Sequence, residues 1–345
     1  MFDSVMKAMV LEKLGPIEGR PLQLREIEAH KIKKNNDLLI KIEGCGVCRS
    51  QLHGIEVDWV KYGIPPALPT IPGHEIVGTI LEIGPGVKAL KVGQRIGISP
   101  LHGSCMYCDY CKAGREHLCD KAEITGESLL GGYAEYITVS EDFATLIPDS
   151  MKSEYAAPLF CAGITAYKAV KASEPIKGKS VGIFGVGGVG HLTVEFAKIA
   201  GLRVIGVARN KAHLDVAEQV GADNVIQYTN QPEFLSLLKK EEGLLDSAIV
   251  FAPSEHIVDT AINSVKKGGT IVLGVLANIP SFDVFSEKTL RGTLIGSRSD
   301  MSDVVRLAKE NDIKVIYKTY PLEQANQVLE DLKFSRIAAR AVLTP

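Results

Sequence analysis

Apolar positions fall into two textures along the chain. In the first ~150 residues they form short runs, such as Leu38–Ile42, Ile76–Ile83 and Tyr136–Val139. Turn pairs such as Pro72-Gly73 and Gly84-Pro85 bound these runs, which predicts a mostly β domain. After Ser153 the runs alternate between strand and helix periods. Val181–Gly185, Val204–Val207, Asn224–Tyr228, Ala248–Phe251 and Thr270–Val275 read as strands. Val189–Ala200, Ala212–Val220, Glu233–Lys240 and Glu255–Val265 read as the helices between them. That alternation predicts a parallel sheet covered on both faces. From about Leu290 the pattern loosens: Leu294–Gly296 is apolar, Ser302–Glu310 helical and Ala338–Leu343 strand-like. We read this tail as returning to the first domain. The expected architecture is α/β plus β, with residues 1–152 and 290–345 in a mostly β domain and 153–289 in a doubly wound one.

With 46% hydrophobic and 23% charged residues over 345 positions, the composition is globular and excludes a disordered or collagenous chain. The formal net charge of −2 gives no pull toward nucleic acid or an anionic membrane. No apolar run approaches the ~18 residues of a membrane span. The opening MFDSVMKAMVLEK has no signal-peptide core, so the expected location is the cytoplasm.

Of the seven cysteines, Cys105, Cys108, Cys111 and Cys119 follow the spacing C-x2-C-x2-C-x7-C. In a reducing compartment clustered thiols read as metal ligands rather than disulfides. Four thiolates on short loops suit a tetrahedral Zn²⁺ and leave no position open to water, so this zinc is expected to be structural. An iron–sulfur cluster also uses four cysteines, though its common spacings differ. His102 and His117 flank the lobe and are read as non-ligands, and Cys45 as structural.

Gly185-Val186-Gly187-Gly188-Val189-Gly190 lies between a predicted strand and a predicted helix. There the glycines allow a tight turn, close approach to a pyrophosphate and helix–strand contact, the fingerprint of a Rossmann dinucleotide site. Gly185, Gly187, Gly188, Val189 and Gly190 are therefore candidate phosphate contacts. His191, which follows them, is read as packing or capping. The next strand ends at Ala208, Arg209, Asn210 and Lys211, with no carboxylate to bond a ribose 2′-hydroxyl. Arg209 and Lys211 favour a 2′-phosphate, so NADP(H) is expected over NAD(H).

Three further pieces are Gly46-Val47-Cys48-Arg49-Ser50-Gln51-Leu52-His53, then Gly73-His74-Glu75 with Gly78 and Gly84, then Cys161. With the four-thiol lobe and the glycine loop, nearly the whole chain resembles the zinc-containing medium-chain alcohol dehydrogenase family. The resemblance implies a GroES-like catalytic domain beside the Rossmann domain. It implies a catalytic zinc on Cys48, His74 and Cys161, with Glu75 beside the metal and a ligand in some relatives. Two zincs per chain follow. Ser50 matches the hydroxyl that contacts substrate oxygen, and His53 the outer end of a proton relay. Arg49 and Arg340 resemble pyrophosphate contacts, while Trp59, Pro100 and Leu101 fall where the family's substrate pocket walls lie. A small Pro100, where relatives often have a bulky aromatic, widens that expected pocket.

The chain departs from the family at Gln51, where an Asp usually supports the zinc-binding histidine. Gln51 can accept a hydrogen bond through its amide oxygen but brings no charge, so zinc affinity or the pH profile is expected to differ. The implied reaction is reversible hydride transfer between an alcohol and NAD(P), on a small-molecule alcohol, aldehyde or ketone, in a homodimer or homotetramer. A polyol dehydrogenase is the nearest rival, but it typically carries Glu where this chain has Cys161. From another class, the rival is a non-catalytic zinc and nucleotide binder.

Overall fold

Strand Asp37–Gly46 is the hub of the first of two compact units. The computed structural model describes residues 5–59, 67–279 and 282–345. The hub strand is buried along nearly all its length because other strands cover it on both sides. It pairs antiparallel with Glu75–Ile83, Tyr136–Ser140 and Arg340–Thr344. Where it crosses strand 75–83 the backbones approach closely: a Cβ on Gly78 would lie 2.0 Å from the Lys41 carbonyl oxygen. Beyond strand 75–83 the sheet continues through Arg95–Ile98 to Ala144–Leu146, and at the other end strand 340–344 pairs with Tyr317–Pro321. The C-terminal tail thus returns to the first unit, Met1–Cys161, Gly296–Lys309 and Val315–Pro345.

The second unit, Ala162–Ile295 with Glu310–Lys314, is a six-stranded parallel sheet. Its order is Asn224–Gln227, Arg203–Ala208, Ser180–Phe184, Leu245–Val250, Val265–Leu273, Thr289–Gly292. Numbered within the unit this is 3-2-1-4-5-6, the doubly wound arrangement whose switch point lies beside the first strand. The central strands are almost entirely buried, as expected when helices cover both faces. Phe184 and Phe234 meet edge to face at 5.7 Å in its core.

Both expected domain boundaries shift. Residues 153–161 pack with the first unit: the Ser153 hydroxyl bonds Glu43, and Phe160 lies against Gly97. Residues 290–295 stay with the second unit, because strand 289–292 pairs in parallel with strand 265–273. Among the described residues no helix is long and apolar enough to cross a membrane.

Candidate metal centre and dinucleotide loop

Cys48, His74, Glu75 and Cys161 come from three separate stretches of the first unit, and their donor atoms lie within 4.8 Å of one another. Cys48 sits where the hub strand turns into helix Arg49–Ile55. His74 and Glu75 enter strand 75–83 after Gly73, whose φ of +100° is open to glycine at little cost. Cys161 ends the 3-10 turn Ala157–Phe160. The Cys48 and Cys161 sulfurs are 3.8 Å apart. Tetrahedral Zn²⁺ with Zn–S near 2.3 Å places two sulfurs about 3.8 Å apart, so the spacing fits that ion. Cys161 and His74 bonding to the Cys48 sulfur hold its thiol well below the usual range, against the effect of burial. The same contact pushes the Cys161 thiol up, so the pair gives up one proton easily and the second with difficulty.

Ser50 Oγ lies 3.0 Å from Cys48 Sγ and 3.3 Å from His74 Nε2. His74 Nε2 is therefore the nitrogen on the cysteine side. The other, Nδ1, meets Gln51 Nε2 at 2.8 Å, while Gln51 Oε1 accepts from the Gly73 amide at 2.6 Å. This corrects the expected arrangement: the oxygen that was to accept from His74 is taken by the backbone of Gly73. The Glu75 carboxylate belongs to the cluster, yet both its oxygens bond the Arg340 guanidinium. Burial pushes the Glu75 carboxyl up to about 7, against the pull of Arg340.

The four lobe cysteines form the other converging donor group among the described residues. Cys111 Sγ lies 3.9 Å from Cys105 Sγ and 3.5 Å from Cys108 Sγ, spacings that also suit a tetrahedral ion. Backbone amides of Cys108 and Lys121 donate to Cys105 and Cys119 sulfurs at 3.3 Å, as they would to thiolates. The Tyr107 amide leads the contacts that hold the Cys105 thiol at about 6.

In the second unit, the glycine loop joins strand 180–184 to helix Gly190–Ile199. Gly185 has φ of +98°, and a Cβ there would lie 2.7 Å from the Ala252 amide nitrogen. A Cβ on Gly187 would meet nothing within 4 Å. That open space at a helix N-terminus is where a pyrophosphate needs bare backbone, so the loop fits a dinucleotide.

Residues 34–149 match the model of the alcohol dehydrogenase GroES-like domain, and residues 188–310 that of the zinc-binding dehydrogenase. An alcohol dehydrogenase of Geobacillus stearothermophilus is 40% identical over 98% of this chain and 99% of its own. The solved alcohol dehydrogenase of Aeropyrum pernix is 30% identical, with a TM-score of 0.89 over 98% of this chain and 100% of that one. The solved CAD of Helicobacter pylori, complexed with NADP(H), is 27% identical, with a TM-score of 0.86 over 99% of this chain and 98% of that one. The chain belongs to the zinc-containing medium-chain alcohol dehydrogenase family. Its chemistry is zinc-dependent oxidoreduction of alcohols and carbonyls, with a nicotinamide dinucleotide as co-substrate.

Other residues expected at a dehydrogenase site are placed unevenly. His53 Nδ1 bonds Asp58 at 2.7 Å and its ring stacks on Trp59 at 5.7 Å, so Trp59 covers the histidine. Asp58 was not singled out from sequence, although it stands only five residues from His53. Arg49 reaches the Leu332 carbonyl at 3.4 Å. Arg340, expected at a pyrophosphate, is only 5% exposed and bound to Glu75, because a fully buried carboxylate needs a counter-charge. Pro100 and Leu101 are also buried. Leu101 lines a cavity of about 450 Å³ with Glu116, Phe143 and Arg298, and none of the metal-centre donors lines it.

Lys211 pairs with Asp215 one helical turn on, at 2.7 Å. Asn210 caps helix Lys211–Gln219 by accepting from the Ala212 amide. The Arg209 carbonyl accepts from Gln227 Nε2 at 3.0 Å. His102 bonds Thr125 at 3.2 Å, and His191 Nδ1 bonds the Gly187 carbonyl at 3.1 Å. Cys45 is fully buried and outside both donor groups.

Proposed function

We propose that this chain interconverts a small alcohol and its aldehyde or ketone, with NADP(H) preferred over NAD(H), at a zinc held by Cys48, His74 and Cys161. A second zinc in the Cys105–Cys108–Cys111–Cys119 lobe is structural. The 3.8 Å sulfur–sulfur spacing beside His74 Nε2 is the observation that carries this reading. Bound zinc supplies Lewis acidity, and bound nicotinamide supplies the two-electron acceptor or donor for the alcohol–carbonyl couple.

The chain's own residues handle position and protons. With Glu75 tied to Arg340, Cys48, His74 and Cys161 make a three-ligand set with its fourth position open, the pattern of a catalytic rather than a structural site. The Ser50 hydroxyl beside Cys48 both accepts and donates, so it can take a substrate proton while passing on its own. Asp58 holds the proton of neutral His53 on Nδ1, which leaves Nε2 free to accept one and deliver it to solvent. Arg209 and the absence of a carboxylate through Lys211 support the 2′-phosphate preference. Self-association as a homodimer or homotetramer is supported by Val284 and Phe285, 74% and 86% exposed near edge strand 289–292.

A panel of primary, secondary and aromatic alcohols and their carbonyl partners, assayed with both coenzymes, tests the reading. It predicts turnover with higher kcat/KM for NADP(H). No turnover of any member with either coenzyme would contradict it, and a strong NAD(H) preference would remove the coenzyme assignment alone.

A further inference from the structure

Behind the donor cluster, Gly73, Gln51 and His74 form a buried hydrogen-bonded chain. The Gly73 amide donates to Gln51 Oε1 at 2.6 Å, and Gln51 Nε2 lies 2.8 Å from His74 Nδ1. Gln51 is 3% exposed and His74 2%. This arrangement satisfies every partner only while His74 Nδ1 is an acceptor. A neutral imidazole that gives the Nε2 lone pair to a metal carries its single N–H on Nδ1. The loaded site then aims two donors, Gly73 N–H and His74 Nδ1–H, at opposite ends of one amide. That amide has one oxygen. Turning it over changes which donor faces the NH2 group and leaves the conflict in place.

We infer that Gln51 leaves the zinc-loaded centre one hydrogen-bond acceptor short, so that this chain releases its Cys48–His74–Cys161 metal faster than the same site with a carboxylate at position 51. The inference rests on the metal-centre reading above. On loading, the Gln51 oxygen turns to the ring that the metal has fixed, and the Gly73 amide loses its acceptor.

Gln51→Glu keeps the side-chain length and offers two acceptor oxygens. Zinc-loaded wild type and variant, mixed with excess chromogenic chelator, report release of each zinc, the four-cysteine lobe serving as an internal reference. The expected result is a first zinc that leaves the wild type about 10-fold faster than the variant, the lower end of the range for changes behind a ligand, with an unchanged lobe phase. Amide hydrogen exchange at Gly73 separates this cause from the added charge. Zinc loading is expected to speed exchange there in the wild type and not in Gln51→Glu.

Equal release rates for two bound zincs overturn the inference and leave the metal centre standing. Different rates without a change at Gly73 assign the effect to charge and also overturn it. Uptake of the lobe zinc alone removes both readings. Should the variant not fold, the wild-type exchange at Gly73 decides by itself.

Discussion

Glu75 and Arg340 form an ion pair across 265 residues of sequence, with the carboxylate fully buried and the guanidinium nearly so. Burying two charges is costly, and removing one partner costs more than removing both. Arg340→Met is expected to lose about 3–5 kcal/mol of stability by urea unfolding, and the double variant with Glu75→Gln to recover part of it. Equal stability of the Arg340→Met single variant and wild type would show that the pair is not what balances Glu75.

Gly97 and Phe160 place Cys161. A Cβ on Gly97 would lie 2.0–2.4 Å from three atoms of the fully buried Phe160 ring, and Cys161 is the next residue. Gly97→Ala should therefore destabilise by about 1–3 kcal/mol through overpacking. It should also lower zinc retention at the Cys48–Cys161 centre while the lobe keeps its ion. Loss of stability with full zinc content would confine the contact to packing.

Asp246, near the start of strand 245–250, ties to it the starts of the two parallel strands that flank it, 180–184 and 265–273. It accepts from the Ser180 amide at 2.9 Å and hydroxyl at 3.0 Å, and from Lys266 at 3.1 Å. Burial opposes ionisation, but these donors outweigh it and hold the carboxyl at about 2. An unfolded Asp titrates near ~3.9, so the folded value is depressed. The contribution to stability is then complete above about pH 4 and is lost as pH falls toward 2. Urea midpoints measured stepwise from pH 5 to 3 should fall more steeply for wild type than for Asp246→Ala. Parallel curves would refute the shift.

The proposed preference for NADP(H) rests on Arg209. Charge-assisted hydrogen bonds contribute about 1.5–3 kcal/mol, so Arg209→Ala should lower kcat/KM for NADP by roughly 10–100-fold. The value for NAD should stay within about threefold, since each 1.4 kcal/mol is a factor of 10. An equal fall for both coenzymes would point to a general electrostatic effect.

Legibility in the sequence followed the range of the interaction. The central strands of the second unit are buried on both faces, so Val181–Phe184 and Val204–Val207 carry apolar runs that reveal them. Thr289–Gly292 is an edge strand and needs no such run, so from Leu290 on its sequence reads as the start of the tail. Residues 153–161 read with the second unit because the change of texture along the chain begins at Ser153. Their burial is against strand 95–98 instead, through Phe160. The lobe cysteines were legible because the spacing C-x2-C-x2-C-x7-C carries chemistry directly, whereas Cys48, His74 and Cys161 lie far apart in the chain and came only with the family resemblance. The engagement of Arg340 by Glu75, and of Gln51 by the Gly73 amide, was not. Both depend on which backbone and which charge the fold brings alongside.

Zinc per chain, by elemental analysis of wild type and Cys161→Ser purified side by side, tests the account most directly. The account predicts two zincs in the wild type and one in the variant, with the lobe still filled. One zinc in both proteins, or two in both, would contradict it.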